Sequence, residues 1–163
     1  MDFFRRPEKR QTTFDHARIL VPLLGEPDVD DPALKVATLL LGGREGVEVA
    51  LLHVIEVPFE RTLDAEDDAA VTRADEILSR AEGILREKGI LARTSTVQAR
   101  AAGAAIVDDA NELGADLIVM GLRYKKRFGG QWDAGRTVPY VMRNSTAPVW
   151  CLRAETKELA NTP

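Results

Sequence analysis

The densest chemistry in the chain lies between Gly121 and Thr137. Arg123, Lys125, Lys126, Arg127 and Arg136 bring positive charge there, interleaved with Gly121, Gly129, Gly130 and Gly135. A strand precedes this stretch, and a helix begins near Gly135 to Val138. The first N–H groups of a helix have no intrahelical partners. Glycines, cations and a helix N-terminus in sequence make a cradle for phosphate, and the planar arginine fork suits bidentate contact with it. The same cations also fit a solvated surface loop, or a contact with protein or lipid. Trp132 in this loop fits either a lid over the pocket or packing on a partner subunit.

The other reactive residue types are scattered. His53 sits in an apolar strand and reads as a satisfied core histidine. His16 has no partner signal. With two histidines and one cysteine far apart, no metal-ligand spacing is present, and no nucleophile motif is present either. Cys151 reads as an inert thiol in an apolar strand. Asp108 and Asp109 read as a solvated pair on a helix, and the acidic stretch from Glu56 to Glu76 as a loop and helix face rather than a metal site.

The elements that must position the loop follow from apolar periodicity. Leu117 to Met120 is a short unbroken apolar run, as in a strand buried on both faces. Arg18 to Leu24 is a first strand, with Pro22 near its end, where a lost ladder donor is tolerated. Gly25 to Asp31 is a turn, and Asp31-Pro32 reads as an N-cap with proline at the first helical position. The helix it opens ends at Gly42-Gly43. Val47 to Val54 is a second strand, and Ala69 to Lys88 a long amphipathic helix. Ala92 to Gln98 is a polar strand suited to a sheet edge. Gly103 to Leu113 is a helix stopped by Gly114, and Val149 to Arg153 a last strand behind Pro148. Strand and helix alternate, which means a parallel sheet with helices on both faces and right-handed crossovers.

Composition bounds the class. The 163 residues suit one domain with its own core, with 45% hydrophobic and 29% charged residues. A net charge of −4 gives no case for nucleic-acid binding. No apolar run approaches the ~20 residues that span a bilayer, and no signal-peptide core opens the chain, which points to the cytoplasm. We expect a basic tail over 1–15, with Phe3, Phe4, Arg5, Arg6, Lys9 and Arg10, a domain over 16–154, and a polar tail over 155–163. The first tail fits a solvated segment, a membrane-surface anchor or a contact for a larger partner.

Asp116-Leu117-Ile118-Val119-Met120-Gly121, then Gly135, Val141-Met142-Arg143 and Ala147-Pro148-Val149, resemble the C-terminal half of a universal stress protein domain. Leu51-Leu52-His53-Val54-Ile55-Glu56, and Gly103 to Val107 with Gly114 to Ile118, match the same family. The resemblance covers about Arg18 to Arg153. It implies a Rossmann-like sheet of five parallel strands in the order 3-2-1-4-5, with the switch point between strands 1 and 4, where ligands of open α/β sheets bind.

The resemblance also implies a site for ATP or another adenine nucleotide, with Mg²⁺ if ATP binds. Its positions here are Pro22, Leu23 and Leu24 after the first strand, the main chain of Val54, Met120-Gly121, and a phosphate loop through Arg123, Tyr124, Gly135, Arg136 and Thr137. The family pattern is Gly, two residues, Gly, nine residues, Gly and Ser/Thr. Here Tyr124 takes the second glycine position, ten residues separate it from Gly135, and Arg136 precedes Thr137. Leu24 stands where nucleotide-binding members carry an acid for the ribose or adenine.

The function this implies is a non-catalytic, cytoplasmic regulatory module. It would work as a homodimer paired through the edge strand Val149 to Leu152, sensing an anionic metabolite or binding a partner. One alternative is an ATP- or AMP-type nucleotide binder with slow hydrolysis. Another is a regulatory domain or subunit of a membrane transporter, because Leu52 to Pro58 and Gly135 to Val138 resemble universal stress domains attached to transporters. Residues 1–15 would then meet the membrane or the transporter.

Overall fold

Three apolar runs, Ile19 to Leu23, Val49 to Leu52 and Leu117 to Met120, have too little polar surface to face water on either side, and each becomes a central strand. The computed structural model describes residues 18–42, 44–65, 67–123, 125–126 and 132–153, with the backbone alone for Lys125, Lys126 and Trp132. The elements are β1 (Arg18–Leu23), α1 (Pro27–Leu41), β2 (Glu48–Glu56), α2 (Asp68–Arg86), β3 (Ala92–Ala99), α3 (Ala102–Leu113), β4 (Leu117–Leu122), β5 (Lys125–Lys126), β6 (Trp132–Asp133), α4 (Thr137–Asn144) and β7 (Val149–Arg153).

The main sheet runs β3-β2-β1-β4-β7, every pair parallel. This is the expected 3-2-1-4-5 order. The last strand is the seventh only because β5 and β6 pair antiparallel inside the loop after β4. That pair was expected as irregular loop.

Side chains alternate across the sheet and divide the core in two. Ile19, Val21, Val49, Leu51, Leu117 and Val119 meet Leu34, Ala37, Leu78 and Leu85 of α1 and α2. Leu20, Leu52, Ile118 and Met120 meet Ile106, Ala110, Val138 and Val141 of α3 and α4 on the other face. The polar strand β3 is an edge, paired only with β2. No helix among the described residues is long and apolar enough to cross a membrane. The expected tails, with His16, lie outside the described residues.

One boundary differs from expectation in a way that shapes the site. Helix α1 starts at Pro27 rather than after Asp31, and Pro32 lies inside it. The reason is Asp30. Its carboxylate, 3% exposed, accepts hydrogen bonds from the backbone N–H of Leu24 (2.9 Å), Gly25 (2.8 Å) and Glu26 (3.1 Å). Three donors of the β1–α1 turn converge on one buried acceptor, which fixes the helix start at proline-first Pro27. Asp31 points outward instead and accepts from Arg80 (3.0 Å).

Candidate functional site

The β1–α1 turn is built so that α1 comes hard against β4. Gly25 has φ +84°, a conformation a side chain rarely adopts. Gly121 has no side chain for a different reason: a Cβ there would overlap the carbonyl of Val29. The contact leaves the carboxyl ends of β1 and β4 open toward α3 and α4.

A cavity of about 270 Å³ fills that opening. Pro22, Leu23 and Leu24 come from the first strand and its turn, and Leu52, His53, Val54 and Glu56 from β2. Ala102 and Ile106 of α3, Met120, Gly121, Arg123, Thr137 and Val138 complete the lining. A second cavity of about 200 Å³ adjoins it, between Leu24, Arg123 and the segment Asp133 to Val138. The two share Leu24, Arg123, Thr137 and Val138. Every residue that the resemblance assigned to the nucleotide site lines one or both, except Tyr124, which lies outside the described residues. Trp132 is described by its backbone alone, and both expectations for its indole lie outside the described residues.

Two polar side chains of the first cavity, Glu56 and His53, already have partners. Glu56 Oε1 accepts from the N–H of Ala102 (2.8 Å), so a side chain from β2 caps α3, whose own N-cap residue, Ala101, supplies no cap. His53 Nδ1 lies 2.9 Å from the Leu23 carbonyl. A carbonyl only accepts, so Nδ1 carries the proton. The half-buried His53 is therefore satisfied, as expected, but it also lines the cavity rather than only the core. What remains is mostly apolar: Leu23, Leu24, Leu52, Ile106, Met120 and Val138.

The second cavity is less apolar than the first and backs onto a helix start. Gly135 N–H donates to Asp133 Oδ1 (2.9 Å), folding the chain into α4. Arg136, the N-cap residue, makes no side-chain cap. The N–H groups of Thr137 and Val138 at the head of α4 have no acceptor among the described residues, and they border this cavity. Arg123 reaches from the end of β4 and holds Glu26 with two bonds, Nε to Oε2 at 2.9 Å and Nη2 to Oε1.

Glu26 and Asp30 were not singled out from the sequence. Asp30 had a readable signal, an aspartate in the first turn behind a proline. Burial pushes its carboxyl above the ordinary value, and the three N–H donors of the turn pull the other way. Burial likewise pushes the Cys151 thiol up, in keeping with an inert cysteine. Asp109 is half-buried rather than fully solvated; burial, then the charge of Glu112, pushes its carboxyl up.

A polar depression of about 430 Å³ lies elsewhere, at the amino ends of β1 and β2, between Arg18, Glu48, Arg93 and Asp109. Its arginines are engaged: Arg93 with Glu48 (2.7 Å), and Arg18 with Glu48 and the Leu113 carbonyl. It is not at the switch point of the sheet, where open α/β sheets take ligands.

Residues 16–153 match the universal stress protein family. The chain is similar to a universal stress protein from Archaeoglobus fulgidus, at 26% identity, covering 83% of this chain and 98% of that one, with a TM-score of 0.70. The Archaeoglobus protein in complex with dAMP aligns at 26% identity over 83% of this chain and 97% of that one, TM-score 0.67. A family protein from Arabidopsis thaliana with AMP bound shares the fold at 12% identity, 87% and 94% coverage and a TM-score of 0.64. No curated protein matches the chain at a significant level.

Proposed function

Because the chain belongs to the universal stress protein family, we propose that it is a non-catalytic regulatory module that binds an adenine nucleoside or nucleotide in the paired cavities. On this reading the domain spans 16–154, works in the cytoplasm, and acts as a homodimer that passes the bound state to a partner.

The observation that carries the reading is the position and make-up of the two cavities. They adjoin at the switch point between β1 and β4, where open α/β sheets take ligands. The first and more apolar one, with Val54, Met120 and Gly121 in its wall, suits a flat base. The second, with open N–H groups of α4 and with Arg136 in its lining, suits an anionic group. The relative from Archaeoglobus fulgidus bound to dAMP supports the ligand class. The role is binding rather than catalysis because the cavity's carboxylate and imidazole are each tied to backbone, Glu56 to Ala102 and His53 to Leu23.

The dimer rests on β7. It pairs with β4 on one side only, and Val149 to Leu152 are all half-buried in the single chain. Such an edge is completed by antiparallel pairing with its own copy about a two-fold axis.

Calorimetric titration with adenosine, AMP and ATP, with and without Mg²⁺, tests the reading. Saturable adenosine binding that disappears in Ala102→Trp, which fills the first cavity, is the expected result. No heat of binding at millimolar ligand would overturn it. Sedimentation analysis checks the dimer, with Leu152→Lys expected to shift it to monomer.

A further inference from the structure

We propose that Glu26 sets the ligand class of this site: by holding Arg123 it lowers the value of a ligand's phosphates, so the site selects a nucleoside or a nucleotide of low charge over a polyphosphate. The proposal rests on the nucleotide reading above.

Arg123 lines both cavities, and is the one arginine among the described residues that does so. It is therefore the cation best placed to meet a phosphate crossing from one to the other. Its Nε and Nη2 are both given to the Glu26 carboxylate. That is the bidentate geometry a phosphate itself would use. A phosphate reaching Arg123 must displace Glu26, and then lies beside the carboxylate it displaced.

The backbone of Glu26 is fixed, so its side chain stays rooted beside Arg123 whichever way it turns. Its N–H is bonded to Asp30, and its carbonyl accepts from Val29 (2.9 Å) and Asp30 (2.8 Å), so the residue is clamped between turn and helix. Its side chain is 43% exposed and that of Arg123 40%. The pair is thus open to a ligand arriving from solvent, and its repulsion of an anion is softened by salt rather than abolished. Glu26 thus serves Arg123 rather than the ligand.

The test is calorimetric titration of adenosine, AMP and ATP into the wild type, Glu26→Gln, and the double variant Glu26→Gln with Arg123→Ala. The readout is the ratio of nucleotide to adenosine affinity. Glutamine keeps the length and the neutral hydrogen bond but not the charge, and thermal melts check that each variant is folded. In Glu26→Gln the AMP-to-adenosine ratio is expected to rise about 10-fold and the ATP ratio further, as a phosphate gains a charge-assisted pair and loses a repelling neighbour. The gain is expected to vanish in the double variant and to shrink with added salt. Should Glu26→Gln turn out misfolded, Glu26→Ala is read in the same way. Unchanged ratios, with adenosine bound, overturn the proposal and leave the nucleotide reading standing. A wild type that binds no adenosine overturns both.

Discussion

Replacing Asp30 by alanine should loosen the whole site without touching a residue that lines it. The Asp30 side chain accepts three backbone N–H groups, of Leu24, Gly25 and Glu26, at 2.8 to 3.1 Å. Alanine leaves all three without an acceptor in a part-buried turn. Each orphaned buried donor costs about 1–3 kcal/mol. Two effects offset part of that sum. The desolvation that raises the carboxyl's affinity for its proton disappears with the side chain. A cavity of about 30 Å³ beside Asp30, between Leu34, Ile77 and Ala81, enlarges enough to admit water. The expected net loss is roughly 3 kcal/mol. Asp30→Asn keeps one acceptor oxygen and should lose about half as much. Urea denaturation of the two variants gives both values. The turn also carries Leu24 into the cavities and Glu26 to Arg123, so adenosine affinity should fall in step with stability. A loss below about 1 kcal/mol for Asp30→Ala, or Asp30→Asn as damaging as alanine, would refute the claim that acceptor geometry organises this turn.

Other expectations follow from the same packing. Leu24→Asp restores the acid that the family carries after its first strand. A hydrogen bond from a ribose hydroxyl to it contributes about 1.5–3 kcal/mol, or roughly 10- to 100-fold in adenosine affinity; an equal gain for 2′,3′-dideoxyadenosine would contradict the placement. Gly121→Ala drives a methyl into the Val29 carbonyl, so stability by urea titration should drop by about 1–3 kcal/mol or more, with ligand binding lost as α1 is pushed off β4. Asp109 has its carboxyl pushed up by burial and by Glu112, so the folded state holds the proton more tightly than the unfolded one. Its contribution to stability is then fully present below the ordinary value of 3.8 and is lost as pH rises through the raised folded value. Asp109→Asn removes that loss, so its melting temperature relative to wild type should climb across this window and stay level above it.

The sheet was legible because its central strands are apolar without interruption, and the helices because their apolar positions recur at helical spacing. The strand order was not in the periodicity; it came from the likeness of Asp116 to Gly121 and Leu51 to Glu56 to one family. The start of α1 was misread because Asp31-Pro32 is a sound capping pair when taken locally. The helix instead starts at Pro27, because the inward-facing Asp30 gathers the turn before it, and that shows only when three N–H groups are seen to converge. The β5–β6 pair has two residues on each side and no apolar alternation to announce it. The Glu26–Arg123 pair joins residues 97 apart, beyond any local pattern.

The same division explains which parts of the site stay close to the family and which depart. Val54, Met120 and Gly121 line the cavity from strands held in register: Val54 opposite Val97, and Met120 and Gly121 opposite Cys151 and Leu152. Leu24 and Arg123 lie just past the carboxyl ends of the central strands β1 and β4, where the fold places no demand on chemical type. An acid can become leucine there, and an arginine can be turned to a neighbouring glutamate, with the cavity's shape intact. On the proposed reading, the fold sets where a ligand would sit, and the side chains of two loops set how much of its charge is welcome.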